Sequence, residues 1–274
     1  MGDKLFSILV HLSVLVIALV FFAIVGDVAI KGFTAIQWDF IFTEPSRSGR
    51  EGGVGPILVS TFLLLGICLS IVISLGLGTA IYLNEFTFHK SKFSKIIELS
   101  LDILAGVPSI VFGLFGNVLF CKILGLGFSI LSGGLTLACM ALPLFIRTAQ
   151  SSLRGIPSEY RSGSKALGFS KATTLIKVTL PVAIPGIIAG LILSIGRAMA
   201  ETAALIFTSG YVDRMPSSLL DSGRALSVHI YDLSMNISGG DLNAYRSAFL
   251  LIIGLLFINF SASTIIKKTL RVEN

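Results

Sequence analysis

The segment Ile57–Leu83 reads ILVSTFLLLGICLSIVISLGLGTAIYL and contains no Asp, Glu, Lys or Arg. A helix of about 20 apolar residues is long enough to cross a bilayer, whereas a surface helix of a soluble protein needs a polar face. The segment also lacks the alternation of polar and apolar residues that is typical of a membrane barrel strand. It therefore predicts a membrane-spanning helix.

The composition of the whole chain agrees with this interpretation. Of 274 residues, 54% are hydrophobic and 13% are charged, and the mean hydropathy is +0.90. Soluble domains carry about 25% charged residues, so this chain lacks the charges for a soluble surface. Cys68, Cys121 and Cys139 lie in or beside apolar runs without metal-ligand spacing, so we expect neither a disulfide framework nor a metal site.

Six apolar runs predict an all-α integral membrane protein with six transmembrane helices. The first run is too long for the apolar part of a signal peptide, so it is interpreted as an uncleaved helix. A polar loop separates it from the others and suggests a peripheral position. The predicted spans are Leu5–Gly26, Ile57–Leu83, Leu99–Phe120, Ile123–Ile146, Thr179–Phe207 and Ala248–Ile266.

The distribution of Lys and Arg predicts the orientation, because cytoplasmic loops carry an excess of both. With both termini inside, 13 of the 21 basic residues fall in the shorter, cytoplasmic set of segments. The net charge of +6 is thus a topology signal, and no nucleic acid is expected as a partner. Residues 1–55 would form the first helix and an outside loop, 56–268 the main transmembrane domain, and 269–274 a cytoplasmic tail.

The longest predicted cytoplasmic segment is 147–178, between the fourth and fifth spans. Gly155-Ile156-Pro157 predicts a break, and a short helix is expected from Ser158 to Leu167, with Ser158 as its N-cap. Gly168 suits the position after the helix, where φ is positive, and a second helix is expected near Ser170. The segment is either a solvated loop that is basic for topology alone or a docking element for a cytoplasmic partner.

Within this loop the sequence resembles the permease subunits of ABC importers, which carry E-A-A, then Gly, then I-x-L-P. Gly168 and Val178-Thr179-Leu180-Pro181 match that register, while Ser162-Gly163-Ser164 replaces E-A-A. The missing Glu implies that Arg161 or Lys165 makes its contact instead. The resemblance implies that the short helix couples the chain to an ATPase through Ser158, Glu159, Tyr160, Arg161, Ser162, Gly163, Ser164, Lys165, Ala166, Leu167 and Gly168.

Further blocks resemble phosphate importer permeases of the PstA type, with a MetI-like fold. This resemblance implies phosphate as the substrate and the cell membrane as the location. It implies three kinds of partner besides the lipid bilayer: a PstC-like permease, a PstB-like ATPase dimer that binds ATP and Mg, and a PstS-like extracytoplasmic phosphate-binding protein. The blocks are Ala80–Glu85, Gly106–Leu114, Leu142–Thr148, Ile195–Ala203 and Ser227–Tyr231.

Arg197 and Glu201 are charges inside the predicted fifth span, four residues apart on one helix face. A charge at bilayer depth costs about 3 kcal/mol or more, and such residues usually face a protein interior or a water-filled cavity. Arg197 is predicted to meet a translocating anion in the substrate pathway, with Glu201 holding it in place. The alternative is an ion pair that only makes the helix insertable.

Gly106, Pro108 and Ser109 predict a helix break early in the third span. A broken membrane helix is tolerated where protein or a cavity surrounds it, so a gate-lining segment is one interpretation and a plain kink is the other.

The sequence contains no G-x-x-x-x-G-K-[ST], H-E-x-x-H or G-x-S-x-G motif, so no catalytic site and no cofactor are predicted in this chain. Energy for transport would come from a separate ATPase. Three alternatives stay open: a permease for another oxyanion such as sulfate or molybdate, a membrane-embedded enzyme, and a membrane scaffold that does not transport.

Overall fold

The structure is a computed structural model that describes residues 2–35, 38–87 and 91–271. Most of these residues are helical. A two-stranded antiparallel hairpin pairs β1 (Pro45–Ser46) with β2 (Glu51–Gly52). The helices are α1 Gly2–Ala35, α2 Trp38–Phe42, α3 Gly55–Ile71, α4 Leu77–Ile81, α5 Lys92–Ala105, α6 Ser109–Gly116, α7 Ile130–Arg154, α8 Ser158–Ala166, α9 Lys171–Thr174, α10 Leu180–Ala200, α11 Ala203–Ile206, α12 Leu226–Met235 and α13 Asp241–Arg271.

Short π-helical stretches join or extend several of these helices into longer rods. Five rods are long and apolar enough to cross a membrane, and a bent pair of helices adds a sixth span when it is counted as one. The predicted class, an all-α membrane protein, is confirmed. The π-helical stretches are Val72–Gly76, Tyr82–Phe86, Asn117–Ile123 and Leu175–Thr179, and the five rods are Phe6–Thr34, Gly55–Phe86, Ile130–Arg154, Lys171–Ala200 and Asp241–Thr264.

The third predicted span is wrong as a single helix. Lys92–Ala105 and Ser109–Ile123 meet at an angle of 105°. Pro108 has no N–H and disfavours a helical conformation in the residue before it, so the helix cannot continue through this point. α5 and α6 are therefore two helices with different directions, and α5 packs against α7.

The fourth predicted span begins too early. Gly125 and Gly127 have φ values of +69° and +62°, which end the preceding helix. The new helix starts at Ile130, where the Ser129 hydroxyl accepts a hydrogen bond of 3.1 Å from the Ser132 N–H.

The fifth predicted span is too long at its outer end. α10 stops at Ala200 because Glu201 has an extended backbone, with a ψ of 127°. Only the four-residue helix α11 follows, and Phe207 lies just after it. This shorter helix changes the relation between Arg197 and Glu201.

The core is centred on α7, which packs between α3 and α10. Small residues allow these helices to approach closely. A Cβ added to Gly134 would lie 2.7 Å from Ile67, and one added to Gly190 would lie 2.9 Å from Thr148. The close contacts of α7 with α3 and α10 therefore depend on the absence of a side chain at these two glycines.

α1 contacts the bundle through its outer end. Lys31 lies 2.8 Å from Asp27 and donates a hydrogen bond of 3.2 Å to the Tyr245 hydroxyl on α13. Gly32 packs directly against Phe249. In contrast, no residue in the most apolar part of Phe6–Thr34 is buried against the rest of the described chain.

Candidate functional site

The predicted short helix of the cytoplasmic loop (147–178) is present as α8. Its entry differs from the prediction, because Pro157 occupies the N-cap position with a ψ of 142° and Ser158 is the first helical residue. Ser158 is therefore not the N-cap. Proline fixes its own φ and lacks an N–H, so Pro157 ends the turn after α7 and starts a new helix direction.

The exit of α8 follows the prediction closely. Gly168 has a φ of +77°, its N–H donates to the Lys165 carbonyl at 3.0 Å, and the Phe169 N–H donates to the Ser164 carbonyl at 3.0 Å. This is the Schellman arrangement that a glycine after a helix permits. Ser170 then caps α9 by accepting a hydrogen bond of 3.1 Å from the Thr173 N–H. Four residues, 167–170, thus connect α8 to α9.

α8 leaves most of its surface open. Tyr160 is 49% exposed and Leu167 is 75% exposed. Of the segment 158–168, only Ser164 is buried and only Arg161 is half-buried. Ser158, Glu159, Ser162, Gly163, Lys165, Ala166 and Gly168 are exposed.

Arg161 has an internal role that the sequence does not reveal. Its Nη2 lies 2.7 Å from Oε1 of Glu85, at the end of the second span, and donates to the Leu153 carbonyl at 3.1 Å. Nη1 donates to the Ile156 carbonyl at 3.3 Å. The guanidinium therefore fastens α8 to the bundle, and Lys165 remains the exposed cation on this helix.

A second set of ion pairs fastens α5 to the end of α7. Glu98 Oε1 lies 2.6 Å from Nη2 of Arg154 and accepts a hydrogen bond of 3.0 Å from Gln150. Arg147 donates to the Glu98 carbonyl at 2.7 Å and pairs with Asp102. Sequence reasoning missed this set, because the paired residues are about 50 positions apart.

The break at Gly106, Pro108 and Ser109 places α6 against α11. A Cβ added to Gly113 of α6 would lie 2.8 Å from the Ala204 Cα, so the two helices are in close contact. The element that follows the break therefore adjoins the segment that follows Glu201. The role of this break as a gate remains a prediction.

Arg197 and Glu201 do not form the expected pair. Arg197 is half-buried in the last turn of α10, and Glu201 lies beyond the helix end. Glu201 Oε1 accepts a hydrogen bond of 3.2 Å from the Ala204 N–H, and its carbonyl accepts one from the Ser227 hydroxyl. Among the residues that the structure describes, Arg197 has no salt bridge. Glu201 thus organises the backbone, and the charge of Arg197 is not neutralised by it.

The outer segment (201–247) contains a buried charge network that sequence reasoning missed. The side chain of Arg224 is 9% exposed, and its Nη2 lies 3.4 Å from Asp232 and its Nη1 3.9 Å from Asp213. Its Nε donates to the Tyr211 carbonyl at 2.9 Å. His229 adjoins Arg224 at 3.4 Å, and burial, followed by the charge of Arg224, lowers its pKa to about 4.

These features define a multi-pass membrane protein. Its cytoplasmic loop carries the exposed helix α8, and one of its spans contains the charged residue Arg197. Residues 72–269 match the model of the family described as binding-protein-dependent transport system inner membrane component. The chain belongs to this family, whose members are integral components of the cell membrane.

Curated relatives agree over most of the length. The chain is 30% identical over 275 residues to the probable ABC transporter permease protein YqgI of Bacillus subtilis, with 95% of this chain and 93% of the relative covered. It is 35% identical over 216 residues to phosphate transport system permease protein PstA 1 of Mycobacterium tuberculosis, with 78% and 70% covered. The resemblance to ABC importer permeases of the PstA type is thus confirmed.

Solved structures show the same fold at low identity. A chain of the MetNI methionine ABC transporter aligns with a TM-score of 0.64 and 17% identity, covering 78% of this chain and 96% of that chain. A chain of a bacterial ABC transporter involved in alginate import aligns with a TM-score of 0.64 and 13% identity, covering 94% and 95%. The predicted MetI-like fold is confirmed.

Proposed function

We propose that this chain is a permease subunit of an ABC importer that moves inorganic phosphate into the cell. The structural observation that supports phosphate as the substrate is the position of Arg197. Its guanidinium is half-buried at the outer end of an apolar span and has no salt bridge in the described part of the chain. The 35% identity to a phosphate permease supports the same substrate.

The chemistry of Arg197 suits an oxyanion. A guanidinium presents a planar fork of N–H donors that matches two phosphate oxygens, and it stays charged at every physiological pH. A charge in a span is costly, and an isolated charge is retained where it serves an ion pathway. Because Glu201 uses its carboxylate on the Ala204 N–H, the positive charge of Arg197 remains available to a passing anion.

The exposed surface of α8 supports docking of a separate ATPase, which would bind ATP and Mg and supply the energy. Tyr160 and Leu167 offer apolar contacts, and Lys165 offers a charge. A PstC-like second permease, two PstB-like ATPase copies and a PstS-like extracytoplasmic phosphate-binding protein would complete the importer. The family membership and the phosphate-permease relatives support this set of partners.

Uptake of labelled phosphate by the complete complex in proteoliposomes tests the proposal. We expect Arg197→Ala to reduce uptake at least tenfold and Arg197→Lys to retain part of it, because the ammonium keeps the charge but loses the fork. Arg214→Ala is the matched control, since Arg214 is an exposed arginine of the outer segment. Near-normal uptake in both Arg197 variants would remove this residue from the pathway, and uptake of sulfate or molybdate in place of phosphate would contradict the substrate.

A further inference from the structure

A single side chain bonds α8 to the membrane spans. Among the residues that the structure describes, Arg161 supplies every side-chain hydrogen bond and ion pair that joins α8 to the spans. Its Nε and Nη2 donate to the same oxygen, Oε1 of Glu85 on the second span, at 3.3 Å and 2.7 Å. Its other bonds reach the carbonyls of Leu153 in α7 and of Ile156 just after it. Arg161 therefore joins α8 to two spans at once.

The rest of α8 packs against a different span. It lies against the π-helical stretch Leu175–Thr179, at the start of the fifth span, and against α9. Packing of this extent is absent between α8 and the described part of the second span. A displacement of α8 would thus act on the fifth span by direct packing and on the second span through the pair of Arg161 and Glu85.

Glu85 lies in a part of the second span that departs from α-helical geometry. The stretch Tyr82–Phe86 is π-helical, and the helix ends directly after it because Thr87 has an extended backbone with a ψ of 134°. π-helical turns are rare and occur frequently at functional sites. The last turn of a helix also lacks some of the backbone hydrogen bonds of an interior turn, so it changes shape more easily. A force on Glu85 would therefore act on a deformable turn.

The bond between Arg161 and Glu85 has a defined geometry at both ends. The side chain of Glu85 is 19% exposed and that of Arg161 is 27% exposed, so solvent screens the pair only in part. The two carbonyl bonds fix the guanidinium beside the end of α7, and the Asn84 side chain donates to Glu85 Oε1 at 2.8 Å. A charge-assisted bond between two positioned groups can transmit a displacement.

We propose that the bond between Arg161 and Glu85 is the link through which movement of α8 reaches the second span during transport. The inference rests on the proposed function, because an ATPase docked on α8 would supply the movement. With the bond intact, a displaced α8 carries the inner end of the second span with it. Without the bond, the second span stays behind. Arg161 and Glu85 are thus positioning residues, which act through the shape of the spans and not by contact with phosphate.

Amide hydrogen exchange of the assembled importer, with and without a non-hydrolysable ATP analogue, tests the link. Complexes are isolated through the ATPase, so every measurement refers to assembled importer. In the unmodified complex we expect the analogue to change exchange at both Tyr82–Phe86 and Leu175–Thr179. In Glu85→Ala the change at Tyr82–Phe86 should fall severalfold, whereas the change at Leu175–Thr179 should persist. An unmodified complex without a response at Tyr82–Phe86, or an equal response in Glu85→Ala, overturns the proposal.

Glu98→Ala is the matched control. Glu98 pairs with Arg154 at 2.6 Å, and its side chain is 28% exposed, but this pair joins α5 to α7 and does not involve α8. We expect the response at Tyr82–Phe86 to survive in this variant. Loss of the response in Glu98→Ala as well would show that any loosening of the cytoplasmic end removes it, and would overturn a specific link.

The amount of phosphate taken up per ATP hydrolysed in proteoliposomes gives a second readout. A purely structural defect lowers uptake and hydrolysis together and leaves this ratio unchanged. We expect the ratio to fall about fivefold in Glu85→Ala and in Arg161→Ala, a size typical of substitutions along a coupling network. The double variant should be no worse than Arg161→Ala, because the bond is already lost. Effects that multiply would show that the two residues act independently and would overturn the link.

The two readouts separate this proposal from the proposed function. Exchange does not depend on the transported ion, so an intact exchange response without phosphate uptake by the unmodified complex would contradict the proposed function alone. Normal uptake per ATP in Glu85→Ala would overturn the link alone. Glu85→Gln keeps the size of the side chain and an acceptor oxygen, so we expect a smaller loss than in Glu85→Ala. A greater loss in Glu85→Gln would contradict a role for the bond.

Discussion

The two polar regions that flank α10 are built in opposite ways. The outer segment (201–247) folds into the bundle and buries Leu226, Val228, Leu233 and His229 almost completely. The cytoplasmic loop (147–178) keeps α8 on the surface, with Leu167 at 75% exposure. The outer segment is thus buried as part of the bundle. The loop is bonded to the bundle on one side only, through Arg161, and its exposed side is available to a partner.

The charges differ in the same way. Arg224 of the outer segment is 9% exposed and lies near two carboxylates. Arg161 of the loop is 27% exposed and uses one carboxylate, Glu85, at 19% exposure. Removing one partner of the buried pair in the outer segment should destabilise the fold strongly. The loss of stability should be smaller for the pair in the loop, because solvent screens its charges. This comparison predicts a graded series of effects on stability.

The largest effect is expected for Arg224→Ala. Its removal leaves the carboxylate of Asp232, which is 15% exposed, without its cation, at a cost of about 3–5 kcal/mol. Thermal unfolding in detergent, followed by intrinsic fluorescence, measures the change. Arg214→Ala is the exposed control, and an equal shift in the two variants would contradict a structural role for the network.

The second effect is a pH dependence of the outer segment that comes from His229. Its pKa in the folded chain is about 4, below the ordinary 6.5, so folding favours the neutral ring. The contribution to stability is complete above pH 6.5 and is lost as the pH falls toward 4, with a total of about 3 kcal/mol. Arg224 and Asp232 are the charged groups that act on His229, and Arg224 in turn contacts Asp213 and the Tyr211 carbonyl.

His229→Gln isolates this contribution from that of the carboxylates. The difference in unfolding free energy between the native chain and His229→Gln should change with pH between 6.5 and 4 and stay constant above 6.5. A difference that does not change with pH would show that His229 titrates normally.

A smaller effect is expected for Glu85→Ala in the cytoplasmic loop. The substitution leaves the Arg161 guanidinium with carbonyl partners only, and we expect a loss of about 1–2 kcal/mol because the pair is partly solvated. Proteolysis within the loop should accelerate as α8 detaches. Glu44→Ala, at an exposed position outside the loop, is the control, and a loss as large as that of Arg224→Ala would erase the contrast between the two regions.

The smallest effect on stability is expected for Leu167→Ser, within about 0.5 kcal/mol, because the side chain is largely exposed already. Co-purification of the ATPase with the assembled complex should nevertheless fall. If the ATPase co-purifies at the wild-type level both with Leu167→Ser and with a chain whose 158–168 sequence is scrambled, α8 is not the docking element.

Much of the fold follows from local sequence. The apolar runs predict the spans because a bilayer requires about 20 apolar residues in a row. Gly168 and Ser170 predict the end of α8 and the start of α9, because a positive φ and a hydroxyl cap are properties of single residues. The sequence does not reveal that Pro157 replaces Ser158 as the N-cap.

Other features depend on residues far apart in the chain. Periodicity favours a pair between Arg197 and Glu201, but α10 ends between them, and Glu201 is held by Ala204 and by Ser227 of α12. The bond between Glu85 and Arg161 joins residues 76 positions apart, which no local pattern encodes.

The sequence by itself determined that this chain spans the membrane, the approximate position of each span and the polar loop that distinguishes the family. These properties depend on the transfer of each residue from water to lipid and on backbone preferences of single residues. Only the tertiary structure decided which charges are neutralised, where the helices break and which face of the loop stays open. Those outcomes depend on distances between side chains, because electrostatic attraction and burial act through space and not along the chain.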